Sequence, residues 1–124
     1  MIRLNHISIP VHDFNASRNW YRENFGLCIE FEIPERETVA LNDDNDFTLF
    51  LYGTSSRIRP ECTLTFEVDD VEAKYSELHS RGVGFEKSPQ KLYWGYGAEL
   101  RDPDGYLIHL WDERSMAEKG GASA

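Results

Sequence analysis

The sequence predicts an α+β fold built from two copies of one unit, each a strand, a helix and three further strands. Three observations support this. Alternating strand patterns begin at His6 and again at Thr63, and each leads into an Asp that is suited to cap a helix. Each amphipathic helix then ends near a glycine, Gly26 or Gly82. Each half closes with an apolar strand that follows an Asp-rich turn.

The first unit is expected to span residues 1–53. Its opening strand runs to Asp13, which is expected to cap a helix that carries Trp20 and Tyr21 on its apolar face. Alternating or apolar segments then predict three more strands, at residues 27–33, 38–41 and 47–52. Residues 54–61 follow Gly53 and have the Ser and Pro content of a linker.

The second unit is expected to span residues 62–113. Its opening strand leads to Asp70, and the following helix carries Tyr75 and Leu78 on its apolar face. Three further strands are expected at residues 83–86, 97–101 and 106–111. Residues 114–124 are small and polar, and we expect them to form a flexible tail.

Charge and composition exclude several classes of function. Lys and Arg number 13 against 22 Asp and Glu, and a net charge of −9 disfavours binding to nucleic acid or to an anionic membrane. The apolar runs are too short to span a bilayer, and the N-terminus lacks the pattern of a secretory signal, so we expect a cytoplasmic protein. The two cysteines form no CxxC motif, which excludes a disulfide scaffold or a cysteine zinc cluster.

The alternation of side chains along the strands separates two faces of the predicted sheets. One face is apolar and is expected to pack under the helices. The other combines hydroxyl groups, imidazoles, a carboxylate and aromatic rings; its residues are His6, Ser8, Thr48, Phe50, Tyr52, Thr63, Thr65, Glu67, Leu107, His109 and Trp111. Such a mixture is typical of a partly desolvated surface that holds a small molecule, and a wet sheet face or a subunit interface is the alternative.

The duplicated pattern resembles the vicinal oxygen chelate superfamily, which includes glyoxalase I, extradiol dioxygenases, fosfomycin resistance proteins and bleomycin-binding proteins. The resemblance rests on the repeat itself, on Asp102-Pro-Asp-Gly105 before the last strand, and on the segment that ends in Asp69 and Asp70. It covers residues 1 to about 113. It implies a glyoxalase-like fold with mixed sheets that curve around a cleft, and it implies a homodimer.

Metal-binding members of that superfamily place ligands at four equivalent strand positions, which are His6, Phe50, Thr63 and His109 here. Phe50 has no donor atom, Thr63 is a poor ligand for transition metals, and His109 stands where the family usually has a glutamate. Glu67 lies about 13 Å along its strand from Thr63. His6 and His109 are therefore candidate ligands of an incomplete site for Zn, Fe, Mn or Ni, and otherwise neutral imidazoles that contact a ligand.

Three functions remain open. The first is a metal-independent protein that sequesters an aromatic or heterocyclic compound, bound by Ser8, Phe50, Tyr52, Thr63, Thr65, Trp94, Tyr96 and Trp111. The second is a lyase, isomerase or dioxygenase acting on vicinal oxygens, through a divalent metal or through proton transfer by His6, His109 and Glu67. The third is a divergent dimeric domain with a structural or regulatory role. The superfamily resemblance implies that the segment from Tyr93 to Gly97 forms an aromatic loop bordering the cleft, and ordinary packing of Trp94 at the edge of the unit is the alternative.

Overall fold

The computed structural model describes residues 1–121 and divides the chain into two compact units. The first is Met1–Arg59, and the second begins at Pro60. The division lies within residues 54–61, which the sequence predicts as a linker. Each unit has its own four-stranded sheet and its own helices.

The first unit follows the predicted order of elements. They are β1 (His6–Val11), α1 (Phe14–Phe25), β2 (Cys28–Ile33), a 3₁₀ turn (Pro34–Arg36), β3 (Thr38–Asn42) and β4 (Thr48–Gly53). The strand order is β1-β4-β3-β2, with β1 parallel to β4 and the other pairs antiparallel. A parallel pair needs a long crossover, and α1 with β2 and β3 provides it.

The second unit repeats this topology and adds a helix. Its elements are β5 (Thr63–Glu67), α2 (Val71–Ser80), β6 (Phe85–Leu92), β7 (Gly95–Arg101), β8 (Leu107–Trp111) and α3 (Glu113–Lys119). The strand order is β5-β8-β7-β6, and β5 is parallel to β8. The predicted α+β fold of two strand–helix–strand–strand–strand units is confirmed.

The predicted caps set the ends of the helices. The Asp13 carboxylate accepts the backbone N–H of Ala16 at 3.0 Å, and Asp70 accepts that of Ala73 at 3.1 Å. Both interactions satisfy amide groups that have no partner within the helix. Gly26 ends α1 with φ of 65°, a left-handed conformation that a side chain disfavours.

The apolar strand faces form the core of each unit, beneath its helices. In the first unit the buried strand residues are Ile9, Val11, Val39, Leu41, Leu49 and Leu51, and in the second they are Leu64, Ala98, Leu100, Ile108 and Leu110. Tyr21 of α1 and Leu78 of α2 are fully buried against them. Ile7 departs from the pattern, because it lies near the start of the edge strand β1 and is 38% exposed.

Strand β6 is longer than the four residues that the sequence predicts. It extends to Leu92 through a charged stretch that contains Pro89. This composition is tolerated because β6 is an edge strand, where a proline need not donate a ladder hydrogen bond. Two irregularities in its pairing with β7, between Phe85 and Lys87 and between Lys87 and Gln90, accommodate the segment.

The predicted flexible tail is wrong for most of its length, because residues 113–119 form helix α3. Asp112 caps this helix by accepting the Ser115 backbone N–H at 2.6 Å. Met116 attaches the helix to β7, since its sulfur accepts the Tyr96 backbone N–H at 3.4 Å. The last three residues of the tail lie outside the described residues. Within residues 1–121, no helix combines the length and the apolar character that a membrane crossing requires.

Candidate functional site

The polar face of the first unit carries a cluster of aromatic rings around Phe50. The His6 imidazole meets the Phe50 ring edge to face at 4.8 Å, and the Phe31 ring meets it at 5.6 Å. Phe31 is 43% exposed and Tyr52 is 41% exposed. Ser8, which pairs in register with Phe50, is also exposed. The predicted residues of this unit therefore combine an imidazole, a hydroxyl and accessible ring surface.

In the second unit, strand pairing decides which of the predicted residues are neighbours. Thr63, Thr65 and Glu67 of β5 are exposed. Thr65 pairs in register with His109, whereas Glu67 pairs with the half-buried Trp111. The carboxylate next to His109 is therefore not that of Glu67.

Trp94, Glu99 and His109 form the most organised cluster on the polar face of the second unit. The Trp94 indole stacks on the His109 imidazole, with ring centroids 4.3 Å apart and planes within 8° of parallel. The indole N–H donates to Oε2 of Glu99 at 2.9 Å. The same oxygen lies 3.6 Å from Nε2 of His109, and Glu99 and His109 are each only 8% exposed. A carboxylate, an imidazole and an indole thus share one small, largely desolvated volume.

Two glycines allow Trp94 to reach this position. Trp94 lies in the turn between β6 and β7, and Gly95 continues the chain with φ of 139°. A Cβ atom on Gly97 would lie 2.4 Å from the Trp94 ring and 2.1 Å from the Leu110 carbonyl oxygen. Because Gly97 has no side chain, the indole can pack next to β7 and reach the imidazole.

The surroundings of His109 favour its neutral form. Burial lowers the pKa of His109 below its usual value, and the neighbouring Glu99 opposes this shift. Nε2 of His109 is buried and has no hydrogen-bond partner among residues 1–121. A buried polar atom without a partner costs free energy, so this nitrogen is a candidate hydrogen-bonding group of the cluster.

The structure changes the expected set of site residues in two ways. Tyr96 is not on the polar face: its hydroxyl donates to Glu72 of α2 at 2.6 Å, and only 9% of the residue is exposed. Glu99 was not among the residues expected at the site. It pairs in register with His109, so extending the strand alternation to β7 would have identified it.

A separate surface depression of about 530 Å³ lies in the first unit, near the end of α1. Its lining residues are Asn19, Arg22, Glu23, Gly26, Leu27, Cys28 and Ile29. None of the predicted site residues borders it. The chemistry-bearing residues named above therefore lie on the sheet faces and not in this depression.

Comparison with known proteins assigns the family. Residues 3–110 match the model of the Glyoxalase/Bleomycin resistance protein/Dioxygenase superfamily. The chain belongs to this superfamily. It is also 29% identical over 125 residues to Uncharacterized protein YraH of Bacillus subtilis (strain 168), which covers 89% of this chain and 98% of that protein. The resemblance inferred from the sequence is confirmed.

Two solved structures illustrate the range of the superfamily. TnmS3, an antibiotic binding protein from Streptomyces sp. CB03234, is 26% identical with a TM-score of 0.77, covering 90% of this chain and 96% of that one. A lactoylglutathione lyase from Agrobacterium tumefaciens is 17% identical with a TM-score of 0.73, covering 90% and 94%. The second likeness is one of fold.

The glyoxalase superfamily implies a divalent metal, and the donor set of this chain does not match one. Among residues 1–121, no three His, Cys, Asp or Glu side chains converge in a group able to hold a metal ion. Phe50 offers no donor at one of the expected positions, and an aromatic ring packs against each candidate histidine, His6 and His109. A site with three protein ligands is thus not formed by the described residues.

The burial of His109 predicts that acid destabilises the second unit. In the unfolded chain the imidazole gains its proton near pH 6.5, whereas the folded state holds the pKa lower. Stability is therefore fully present above pH 6.5 and is lost as the pH falls toward the folded-state pKa, with a slope of at most about 1.4 kcal/mol per pH unit. Urea unfolding at several pH values between 8 and 5 measures this slope.

A phenylalanine variant isolates the contribution of His109. Phe50 occupies the corresponding position of β4, so His109→Phe keeps a ring at this point of the repeat and removes the titrating group. The variant should lose this part of the pH dependence, while His6→Phe, which removes an exposed imidazole, is the control. An unchanged slope in His109→Phe would contradict the assignment.

Proposed function

We propose that the protein binds a small aromatic or heterocyclic compound and releases it unchanged, without requiring a metal. One observation carries the proposal: in each unit an imidazole on the polar face packs against an aromatic ring, His6 against Phe50 and His109 against Trp94. Ring surfaces with a few polar groups among them suit a flat, largely apolar ligand.

The proposed contact residues are those of the polar faces, namely Ser8, Phe50, Tyr52, Thr63, Thr65 and Trp111, with Glu99 and His109 added. Tyr96 is omitted because it lies on the helix side, and Trp94 because its indole already covers His109. The antibiotic-binding protein that shares 26% of its sequence with this chain supports the proposal. So does the absence of a donor atom at Phe50, since a ring at a ligand position favours stacking over coordination.

An enzyme is the alternative function, and the Glu99–His109 pair favours its proton-transfer form. The carboxylate oxygen lies 3.6 Å from Nε2, and burial lowers the pKa of the imidazole, so His109 is predominantly a neutral base at pH 7. In that case His109 would accept a proton from a lyase, isomerase or dioxygenase substrate, with Glu99 stabilising the imidazolium. Recovery of a chemically altered ligand would favour this alternative.

We also infer that the protein acts as a cytoplasmic homodimer. The superfamily resemblance supports the dimer, and the net charge of −9 disfavours nucleic acid and anionic membranes as partners. The expected partners are therefore a small molecule and a second copy of the chain. A divergent domain with a purely structural role would bind no compound.

A thermal-shift screen against aromatic antibiotics, followed by calorimetry, tests the binding function. A ligand at 100 times its Kd is expected to stabilise the protein by about 2.7 kcal/mol. Trp111→Leu should weaken binding by at least about tenfold, since buried tryptophans dominate such contacts. The ligand recovered afterwards should be unchanged by mass spectrometry.

Two controls make the result decisive. Trp20→Leu removes an indole that packs on Tyr21 in α1 at 5.0 Å, away from the polar face, and should leave the affinity unchanged. Metal analysis of untagged protein tests the metal-dependent alternative. Stoichiometric metal that is lost in His6→Ala and His109→Ala would overturn the metal-free proposal. The binding proposal would also fail if no compound in the panel raised the melting temperature of the wild type more than that of Trp111→Leu.

A further inference from the structure

The Trp94 side chain contacts its neighbours in the way that a bound aromatic ligand would. Its ring lies flat on the His109 imidazole, 4.3 Å between centroids, and its edge N–H donates to the buried Glu99 carboxylate at 2.9 Å. Stacking together with one directed hydrogen bond is a common way for proteins to hold flat heterocycles. The contacts therefore describe a slot shaped for a flat ring with a donor at its edge.

The slot has walls of distinct chemistry. Gly97 leaves the backbone of β7 bare, so that a ring can lie directly against the strand, and a Cβ there would meet the indole at 2.4 Å. His109 supplies a parallel ring with its Nε2 unpartnered among the described residues, and Glu99 supplies the acceptor. If no ring in the slot donated a hydrogen bond, the largely buried Glu99 carboxylate would have no partner, which costs free energy.

Side-chain contacts, and not ladder hydrogen bonds, hold Trp94 in the slot. It lies in a two-residue turn between β6 and β7, it is half-buried, and its neighbour Tyr93 is 92% exposed. Turn residues at such positions move more readily than strand residues, because little apolar surface holds them. The indole can thus leave the slot without breaking the β7–β8 ladder.

We propose that Trp94 occupies a binding slot formed by Gly97, Glu99 and His109, and that a flat aromatic cation or N–H donor displaces it. The proposal rests on the proposed binding function and specifies its ligand class. An aromatic amine or amidine-like heterocycle would stack on His109 and donate to Glu99, whereas an aromatic carboxylate would place like charges together and is excluded. Trp94 then lowers the apparent affinity by competing with the ligand for the slot.

The Trp94→Phe variant tests whether a ligand can displace the indole or whether Trp94 has only a structural role. Phenylalanine keeps a ring for stacking but removes the N–H that donates to Glu99. Hydrogen bonds to charged groups are strong enough that their loss should let 4-aminoquinoline bind at least about tenfold tighter to Trp94→Phe than to the wild type. Calorimetry on the full chain at pH 7.5 measures both affinities, and quinoline-4-carboxylate, which carries the same ring as an anion, should not bind.

Glu99→Gln tests the recognition of charge. The amide oxygen can still accept the indole N–H, but the negative charge is gone, so 4-aminoquinoline should bind at least about tenfold more weakly than to the wild type. A second readout needs no destabilising substitution. In the wild type, 4-aminoquinoline should accelerate solvent exchange of the Trp94 indole N–H, with the signal assigned by comparison with Trp20→Phe and Trp111→Phe.

The outcomes separate this inference from the binding function itself. If antibiotics bind the wild type while Trp94→Phe leaves 4-aminoquinoline affinity unchanged or weaker, the binding function stands and the displaceable slot is wrong. The slot is equally wrong if the carboxylate probe binds as tightly as the amine. If no aromatic compound binds the wild type or Trp94→Phe, both proposals fail.

Discussion

Replacing Gly97 by alanine is expected to destabilise the second unit by about 3 kcal/mol, near the upper end of the usual range for overpacked positions. The new Cβ would lie 2.1 Å from the Leu110 carbonyl oxygen, a backbone atom of the neighbouring strand that cannot turn away. It would also lie 2.4 Å from the Trp94 ring, so the stack on His109 should be lost together with part of the β7–β8 pairing. Urea unfolding monitored by circular dichroism measures the change in stability.

Gly84→Ala is the matched control for Gly97→Ala. Gly84 precedes β6, and a Cβ atom there would meet nothing within 4 Å. The control should leave stability within about 0.5 kcal/mol of the wild type or raise it slightly, because alanine restricts the unfolded chain. Equal effects of the two substitutions would show that the close packing of Leu110 and Trp94 around Gly97 does not limit stability.

The strand faces were predictable because the alternation of side chains follows from backbone geometry. Ile108 and Leu110 lie in the core and His109 on the opposite face, as the period of two requires. The same rule, extended to β7, places Glu99 beside His109 and Tyr96 on the helix side. Tyr96 was assigned to the cleft because its segment was interpreted as a loop before the strand, and Glu99 was missed because the alternation was not applied to the strand predicted at residues 97–101.

The contacts of Trp94 could not have been predicted from sequence. They depend on the geometry of a short turn and on the gap that Gly97 leaves beside Leu110, and both arise from tertiary packing. The aromatic residues and glycines of this segment indicated a functional loop, but not that the indole would cover His109. Helix α3 was not predicted for a different reason: the small residues that follow it obscured the helix cap at Asp112.

Replacing Asp112 by alanine is the second substitution with a large expected effect, about 3 kcal/mol, because this carboxylate serves two helices. Oδ2 accepts the buried N–H of Val71, the first residue of α2, at 2.6 Å, and Oδ1 accepts the N–H of Ser115 in α3, also at 2.6 Å. Alanine would remove a helix cap, worth about 1 kcal/mol, and leave the Val71 amide unpaired, which costs about 1–3 kcal/mol. Urea unfolding measures the loss, and hydrogen exchange should rise at the start of both helices.

The pH dependence of Asp112 distinguishes this double cap from an ordinary one. Burial tends to raise the pKa of Asp112, but the hydrogen bonds from Val71 and Ser115 outweigh it, so the pKa lies below the usual 3.8. The stabilisation is then present above pH 3.8 and is lost as the pH falls through the lower folded-state value. Asp112→Ala should therefore make the free energy of unfolding less dependent on pH in acid.

Asp70→Ala is the control. It removes an exposed cap with a single hydrogen bond to Ala73, so it should cost only about 1 kcal/mol. If the two substitutions cost the same, Asp112 does not join α2 to α3.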